Sequence, residues 1–139
     1  MYTVRKLFKF EMAHVLTSSY AKECQNLHGH SYRLEVIISA LALNSDGMVI
    51  DFKRLKEIVA HEVINKWDHK CVLEEAHYGG GYGTGNPSMV FCAYNPTAEN
   101  MVKDIYDRLK PIIFAEIPSF VSLKIRLHET DTGYAEYSK

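Results

Sequence analysis

The chain has 139 residues, with 16 Lys and Arg against 17 Asp and Glu, and 47% of its residues are hydrophobic. That length suits one domain, residues 1–139, with a core large enough to need no disulfide support. The balanced charge excludes the strongly basic surface of an obligate nucleic-acid or anionic-membrane partner. Three cysteines, Cys24, Cys71 and Cys92, form no CxxC pair, no apolar signal segment opens the chain, and no apolar run nears the roughly 20 residues of a membrane span. A soluble protein of the reducing cytoplasm is expected.

From Val4 to His14 the residues alternate, with Val4, Phe8, Phe10, Met12 and His14 on one parity and Arg5, Lys9 and Glu11 on the other, as in a half-buried strand. Residues 15–27 are mixed and polar and read as a loop. A second alternating strand starts at His28 and runs to about Leu43, with His30, Tyr32, Leu34, Val36 and Ile38 on one face and Arg33 and Glu35 on the other. His28 and His30, two apart, project to the same face of a strand. Gly29 between them permits close approach of the backbone. If these consecutive strands pair antiparallel, His14 meets His28 and His30 at one end of the core face.

Asn44 to Gly47 reads as a turn. Asp51 reads as the N-cap of a helix whose apolar stripe is Phe52, Leu55, Ile58, Val59, Val63 and Trp67, ending near Asp68-His69. Residues 74–95 hold a glycine-rich excursion, residues 78–87, that has neither a P-loop ending nor a GxGxxG pattern. A second helix starts at Thr97 as N-cap, with Met101, Val102, Ile105 and Leu109 as its stripe, and Pro111 is expected to end or kink it. A third strand spans Phe120 to Glu129, with Val121, Leu123, Ile125, Leu127 and Glu129 inward and Lys124, Arg126 and His128 outward. A short last strand covers Tyr134 to Tyr137. The layout is ββααββ, an α+β class.

Three histidines on inward parities at converging strand ends suit Zn²⁺, which takes neutral imidazole nitrogens, and three protein ligands with an open position mark a catalytic site. Cys24 can close that site as a fourth ligand, making the metal structural, or act as a reactive thiol with a lowered pKa. Cys71 and Cys92 read as small buried hydrophobes. Asp68-His69 reads either as a proton-relay pair or as the polar end of a helix. Glu129, an inward carboxylate, needs a partner: an amino-pyrimidine edge or a salt bridge to a neighbouring strand. Thr97 and Glu99 are accounted for by a cap and a first-turn acid. His61-Glu62 is not a zincin motif, because position 65 is Asn65.

Taken together, residues 10–14 (FEMAH), Cys24-x-x-x-His28-Gly29-His30, Asp68-His69, residues 96–100 (PTAEN) and Glu129-Thr130 occur in an order that resembles the 6-pyruvoyltetrahydropterin synthase family over nearly the whole chain. The placement of Cys24 is more like its bacterial and archaeal 6-carboxytetrahydropterin synthase branch, which serves queuosine biosynthesis, than the animal enzyme. The resemblance implies a tunnelling fold (T-fold): a four-stranded antiparallel sheet with two helices packed on one face, assembled as a homohexamer, a dimer of trimers, with active sites between subunits. It implies a lyase in which His14, His28 and His30 hold Zn²⁺, Cys24 is the general base with Asp68 and His69 as partners, Glu129 anchors the pterin ring, and Thr97 and Glu99 line its pocket. The substrate implied is 7,8-dihydroneopterin triphosphate, converted to 6-carboxy-5,6,7,8-tetrahydropterin with release of acetaldehyde and triphosphate; the 6-pyruvoyl reaction and a non-catalytic zinc-stabilised module are the alternatives. Two features depart from the family pattern: Trp67 stands where an aliphatic residue is usual, and residues 79–85 look like an insertion.

Overall fold

The computed structural model describes residues 1–81 and 85–139. In chain order its elements are β1 (Tyr2–His14), a 3-10 turn (Lys22–Gln25), β2 (His28–Ala40), α1 (Phe52–Val59), a π-helical turn (Ala60–Ile64), α2 (Asn65–Trp67), β3 (Lys70–Glu74), α3 (Glu75–Tyr78), β4 (Met89–Cys92), α4 (Ala98–Glu116), β5 (Phe120–His128) and β6 (Tyr134–Ser138). The two long alternating strands set the frame: β1 and β2 pair antiparallel along their whole length, from Tyr2 opposite Ala40 to His14 opposite His28.

The sheet has six strands in the order β4-β3-β1-β2-β5-β6 and is mixed, which corrects the expected four antiparallel strands. β5 and β6 extend it antiparallel from β2, while β3 runs parallel to β1 and β4 parallel to β3. The two added strands are short, five and four residues. Cys71, Val72 and Leu73 are all buried, so β3 has apolar residues on both faces and carries no alternation to read. Residues 82–84, part of the glycine-rich segment singled out above, lie outside the described residues.

One parity of the sheet forms the core. Phe10, Met12, Tyr32, Leu34, Val36 and Ile38 of β1 and β2, with Leu123, Ile125 and Leu127 of β5, pack against Leu55, Val59, Val63 and Trp67 of the first helical segment and Met101, Ile105, Leu109 and Ile113 of α4. Burying these two stripes on one sheet face is what holds the helices there. Asp51 caps α1 by accepting from the backbone N–H of Lys53 at 2.6 Å and of Arg54 at 3.4 Å, and Thr97 caps α4 through the N–H of Asn100 at 3.3 Å. No helix among the described residues is long and apolar enough to cross a membrane.

Three details differ from the sequence reading. Pro111 does not end α4, the first of the two effects expected of it: the helix continues to Glu116, because buried Ile113 and Ile117 keep its last turns on the core. Phe52 is 49% exposed at the first position of α1, with the Lys6 ammonium 5.5 Å from its ring centroid. Val121 is exposed because Ser39 pairs with Ser122 and Ala40 with Phe120, leaving Val121 as the extra residue of a β-bulge.

Candidate metal centre and the cleft beside it

His14 ends β1 and His28 opens β2 directly across from it, so their rings face each other at a centroid distance of 4.5 Å; His30, opposite Met12, lies diagonal on the same face. Gly29 makes the approach possible: a Cβ there would sit 3.2 Å from the Met12 carbonyl oxygen. Among the described residues the His, Cys, Asp and Glu side chains that could hold a metal ion together are His14, His28 and His30, whose ligand atoms lie within 4.8 Å of one another. Cys24 is not in that group.

Backbone carbonyls decide which nitrogens are free. His14 Nδ1 donates to the Pro96 carbonyl at 2.8 Å, and His28 Nδ1 donates to the Asn26 carbonyl at 2.7 Å. Each ring therefore presents the lone pair of its Nε2, and the two Nε2 atoms are 2.9 Å apart. Two lone pairs at that distance repel unless a cation lies between them. His30 Nε2 is buried with no hydrogen-bond partner. An orphaned ring nitrogen beside two opposed lone pairs is the donor set that a zinc ion satisfies, with the backbone carbonyls orienting the rings. Burial, reinforced by the neighbouring His28 and His30, lowers the His14 pKa to about 4 despite the opposing Pro96 hydrogen bond, so this ring stays neutral and available as a ligand at neutral pH. Burial also lowers the His30 pKa, against the opposing pull of Glu129.

Glu129 follows β5 and turns its carboxylate towards this group. Its Oε1 is 3.6 Å from His14 Nε2 and 3.7 Å from His30 Nε2, and it accepts from the Tyr32 hydroxyl at 3.3 Å. Burial pushes the Tyr32 phenol well above its ordinary pKa, and the adjacent Glu129 charge pushes it further, so it remains a donor. Glu129 is also shared with a cleft of about 240 Å³ lined by Ala98, Glu99, Glu129, Thr130, Gly133 and Tyr134. Two carboxylates on one small cleft suit a ligand edge rich in N–H donors. Thr97 is not part of that lining; its hydroxyl is taken up in capping α4, next to the Pro96 carbonyl that holds His14.

The remaining expected residues stand apart from the histidines. Cys24 is half-buried on the 3-10 turn of the loop that leaves His14 and returns at His28, held by the Leu16 N–H donating to its carbonyl at 3.1 Å. Asp68 and His69 form a pair, Nδ1 to Oδ1 2.9 Å. Asp68 also accepts from the Glu11 N–H at 2.9 Å, and the His69 N–H donates to the Glu11 carbonyl at 2.6 Å. Glu11 precedes His14 by three residues, about 10 Å along a strand, and has the opposite parity. His69 lines a shallow concavity with Glu11, Ala13, Cys71 and Ser88, on the sheet face turned away from α1 and α4. Within one chain, then, His14, His28, His30 and Glu129 come together, while Asp68 and His69 face elsewhere.

Sequence reasoning counted Tyr32 only as an inward apolar residue, and the Pro96 and Asn26 carbonyls carry no side-chain signal. It also set Glu35 on the outward face, yet Glu35 is 5% exposed, with its Oε1 2.7 Å from His128 Nε2 and its Oε2 3.0 Å from Arg5. A pair of opposite charges on neighbouring strands, Arg126 of β5 directly opposite Glu35 of β2, was the available clue.

Comparison with known proteins bears on the whole chain. Residues 3–139 match the family model described as 6-pyruvoyl tetrahydropterin synthase. A Haemophilus influenzae protein named 6-carboxy-5,6,7,8-tetrahydropterin synthase is 35% identical, with 100% of each chain covered. Among solved structures, an uncharacterized protein from Wolinella succinogenes superposes with a TM-score of 0.77 at 18% identity, covering 98% of this chain and 97% of that one. A 6-pyruvoyl tetrahydropterin synthase from Plasmodium falciparum superposes with a TM-score of 0.71 at 19% identity, covering 99% and 98%. At those identities the two structures speak for the fold.

Proposed function

The chain belongs to the 6-pyruvoyl tetrahydropterin synthase family, a family of lyase-type enzymes, and on that premise we propose that it converts 7,8-dihydroneopterin triphosphate to 6-carboxy-5,6,7,8-tetrahydropterin, releasing acetaldehyde and triphosphate. The observation that carries this reading is the three-histidine group with its orphaned His30 Nε2, set beside a two-carboxylate cleft in a chain whose full-length relative is named for the 6-carboxy product.

His14, His28 and His30 are the residues that would hold Zn²⁺, which when bound supplies Lewis-acid polarisation of substrate oxygens. Glu129, with Glu99 across the cleft, accepts hydrogen bonds from the amino-pyrimidine edge of the pterin and fixes the ring against the histidines. Thr97 contributes by holding the start of α4, and with it the Pro96 carbonyl on His14. Cys24 acts as general base, moving protons between side chain and ring, and Asp68 orients and charge-stabilises His69 as its relay partner. No external redox cofactor enters, because the side chain gives up the electrons that the dihydropterin ring takes up. Since one chain keeps Asp68 and His69 away from its own histidines, the pair serves the site of a neighbouring copy, in keeping with a hexamer built as a dimer of trimers.

Cys24→Ala tests the assignment against a structural zinc module. The variant is expected to fold, to bind zinc with the wild-type stoichiometry and to lose at least about 100-fold in turnover of 7,8-dihydroneopterin triphosphate. Loss of zinc and of folding together would point instead to a structural site.

A further inference from the structure

Resting on the role proposed above for Cys24, we infer that Asn95 is a positioning residue: its side-chain amide clamps the loop that carries Cys24 to the same turn whose Pro96 carbonyl orients His14.

The contacts form an unbroken series. Asn95 Oδ1 accepts from the Thr17 N–H at 3.0 Å, and Asn95 Nδ2 donates to the Ser18 carbonyl at 3.0 Å. One end of the amide meets a donor and the other an acceptor, which fixes its orientation. Thr17 is gripped a second time, its hydroxyl donating to the Glu74 carboxylate. The same leg of the loop holds the segment that bears the thiol: the Leu16 N–H donates to the Cys24 carbonyl at 3.1 Å, and Gln25 Nε2 donates to the Ser19 carbonyl at 3.2 Å. Residues 16–19 thus link Asn95 to Cys24 and Gln25 through hydrogen bonds at neighbouring positions.

Asn95 is itself firmly mounted. Its carbonyl accepts from the Thr97 N–H at 2.7 Å and from Asn100 Nδ2 at 2.9 Å, at the start of α4. The next residue, Pro96, is buried, and its carbonyl accepts from His14 Nδ1 at 2.8 Å. Residues 95 and 96 therefore hold, from one turn, a histidine of the metal group and the loop with the thiol. The loop needs such a hold, because its 3-10 turn, Lys22–Gln25, buries no residue and Cys24 is only half-buried. A general base works within hydrogen-bond reach of its proton, so a shift of about 1 Å in the loop lowers turnover while the three histidines stay where they are.

The test compares Asn95→Ala, which removes the clamp, with Asn95→Asp, which keeps the acceptor for Thr17 and loses the donor to Ser18. Labelling of the zinc-loaded proteins with iodoacetamide, followed by peptide mapping, reads each cysteine separately. Asn95→Ala is expected to fold and to bind Zn²⁺ within about 2-fold of wild type. Its Cys24 should label about 10-fold faster, with Cys71 and Cys92 unchanged, and kcat should fall about 10-fold or more with a smaller change in KM. Asn95→Asp should fall between Asn95→Ala and wild type. Wild-type labelling of Cys24 in both variants, equal acceleration at all three cysteines, an unchanged kcat, or failure of both variants to fold would each overturn the inference. Labelling and zinc binding need no substrate, so a wild-type protein inactive on 7,8-dihydroneopterin triphosphate would count against the proposed reaction while leaving the clamp testable by those two readouts.

Discussion

At His69 the backbone is held at φ 59°, in the left-handed region that side chains with a Cβ rarely adopt, and among the described residues it is the only non-glycine there. The cause is local: the chain leaves α2 at Trp67 and must reverse into β3, while Asp68 and His69 are pinned on either side by the Glu11 backbone. Holding a histidine in that conformation costs about 1 kcal/mol, a cost a glycine would avoid, and this strain is in keeping with the relay role proposed for its imidazole. His69→Gly is therefore expected to be more stable than His69→Ala by about 1 kcal/mol in urea denaturation, with both losing at least about 100-fold in turnover. The reverse order of stabilities would contradict the backbone strain, and full activity in either variant would contradict a relay role. The histidines themselves were legible because each sits on an unbroken alternation, whereas Tyr32 was not: an aromatic on the inward parity reads as core until Glu129 is seen beside its hydroxyl.

Among the elements, β1, β2, α1, α4 and the last two strands were readable because each has a clear period and a cap or turn to bound it. β3 and β4 were not, since four or five residues with apolar side chains on both faces show no period, and their pairing is parallel and non-local. The bulge at Val121 shifts the β5 register by one residue, which parity cannot anticipate. The β2–β5 pair also buries Glu35 on the face without helices, between His128, Arg126 and Arg5. Burial pushes the Glu35 carboxyl up, but the His128 hydrogen bond and the Arg126 and Arg5 charges outweigh it, and the net pKa lies below the ordinary value of 4.5. The folded state then binds this proton less readily than the unfolded one. The stabilisation is thus complete above about pH 4.5 and is lost as the pH falls through the lower folded value. Glu35→Gln should cost about 2 kcal/mol at pH 7, and denaturation curves between pH 3 and 5 should show a smaller loss of stability than in wild type. Equal acid sensitivity in the two proteins would show that Glu35 does not contribute.

For the whole molecule, the proposed relay role of the Asp68-His69 pair, which stands apart from the three histidines, is tested by asking whether a complete site needs two copies of the chain. Cys24→Ala and His69→Ala, each inactive alone, are expected to recover about a quarter of wild-type activity when dissociated, mixed in equal amounts and reassembled, because about one interface in four then joins two intact halves. No recovery would mean that each chain carries its own relay pair. The reaction itself is tested most directly by incubating the zinc-loaded protein with 7,8-dihydroneopterin triphosphate and identifying the products by mass spectrometry. The account predicts 6-carboxy-5,6,7,8-tetrahydropterin together with acetaldehyde and triphosphate; a 6-pyruvoyl product, or substrate returned unchanged, would contradict it.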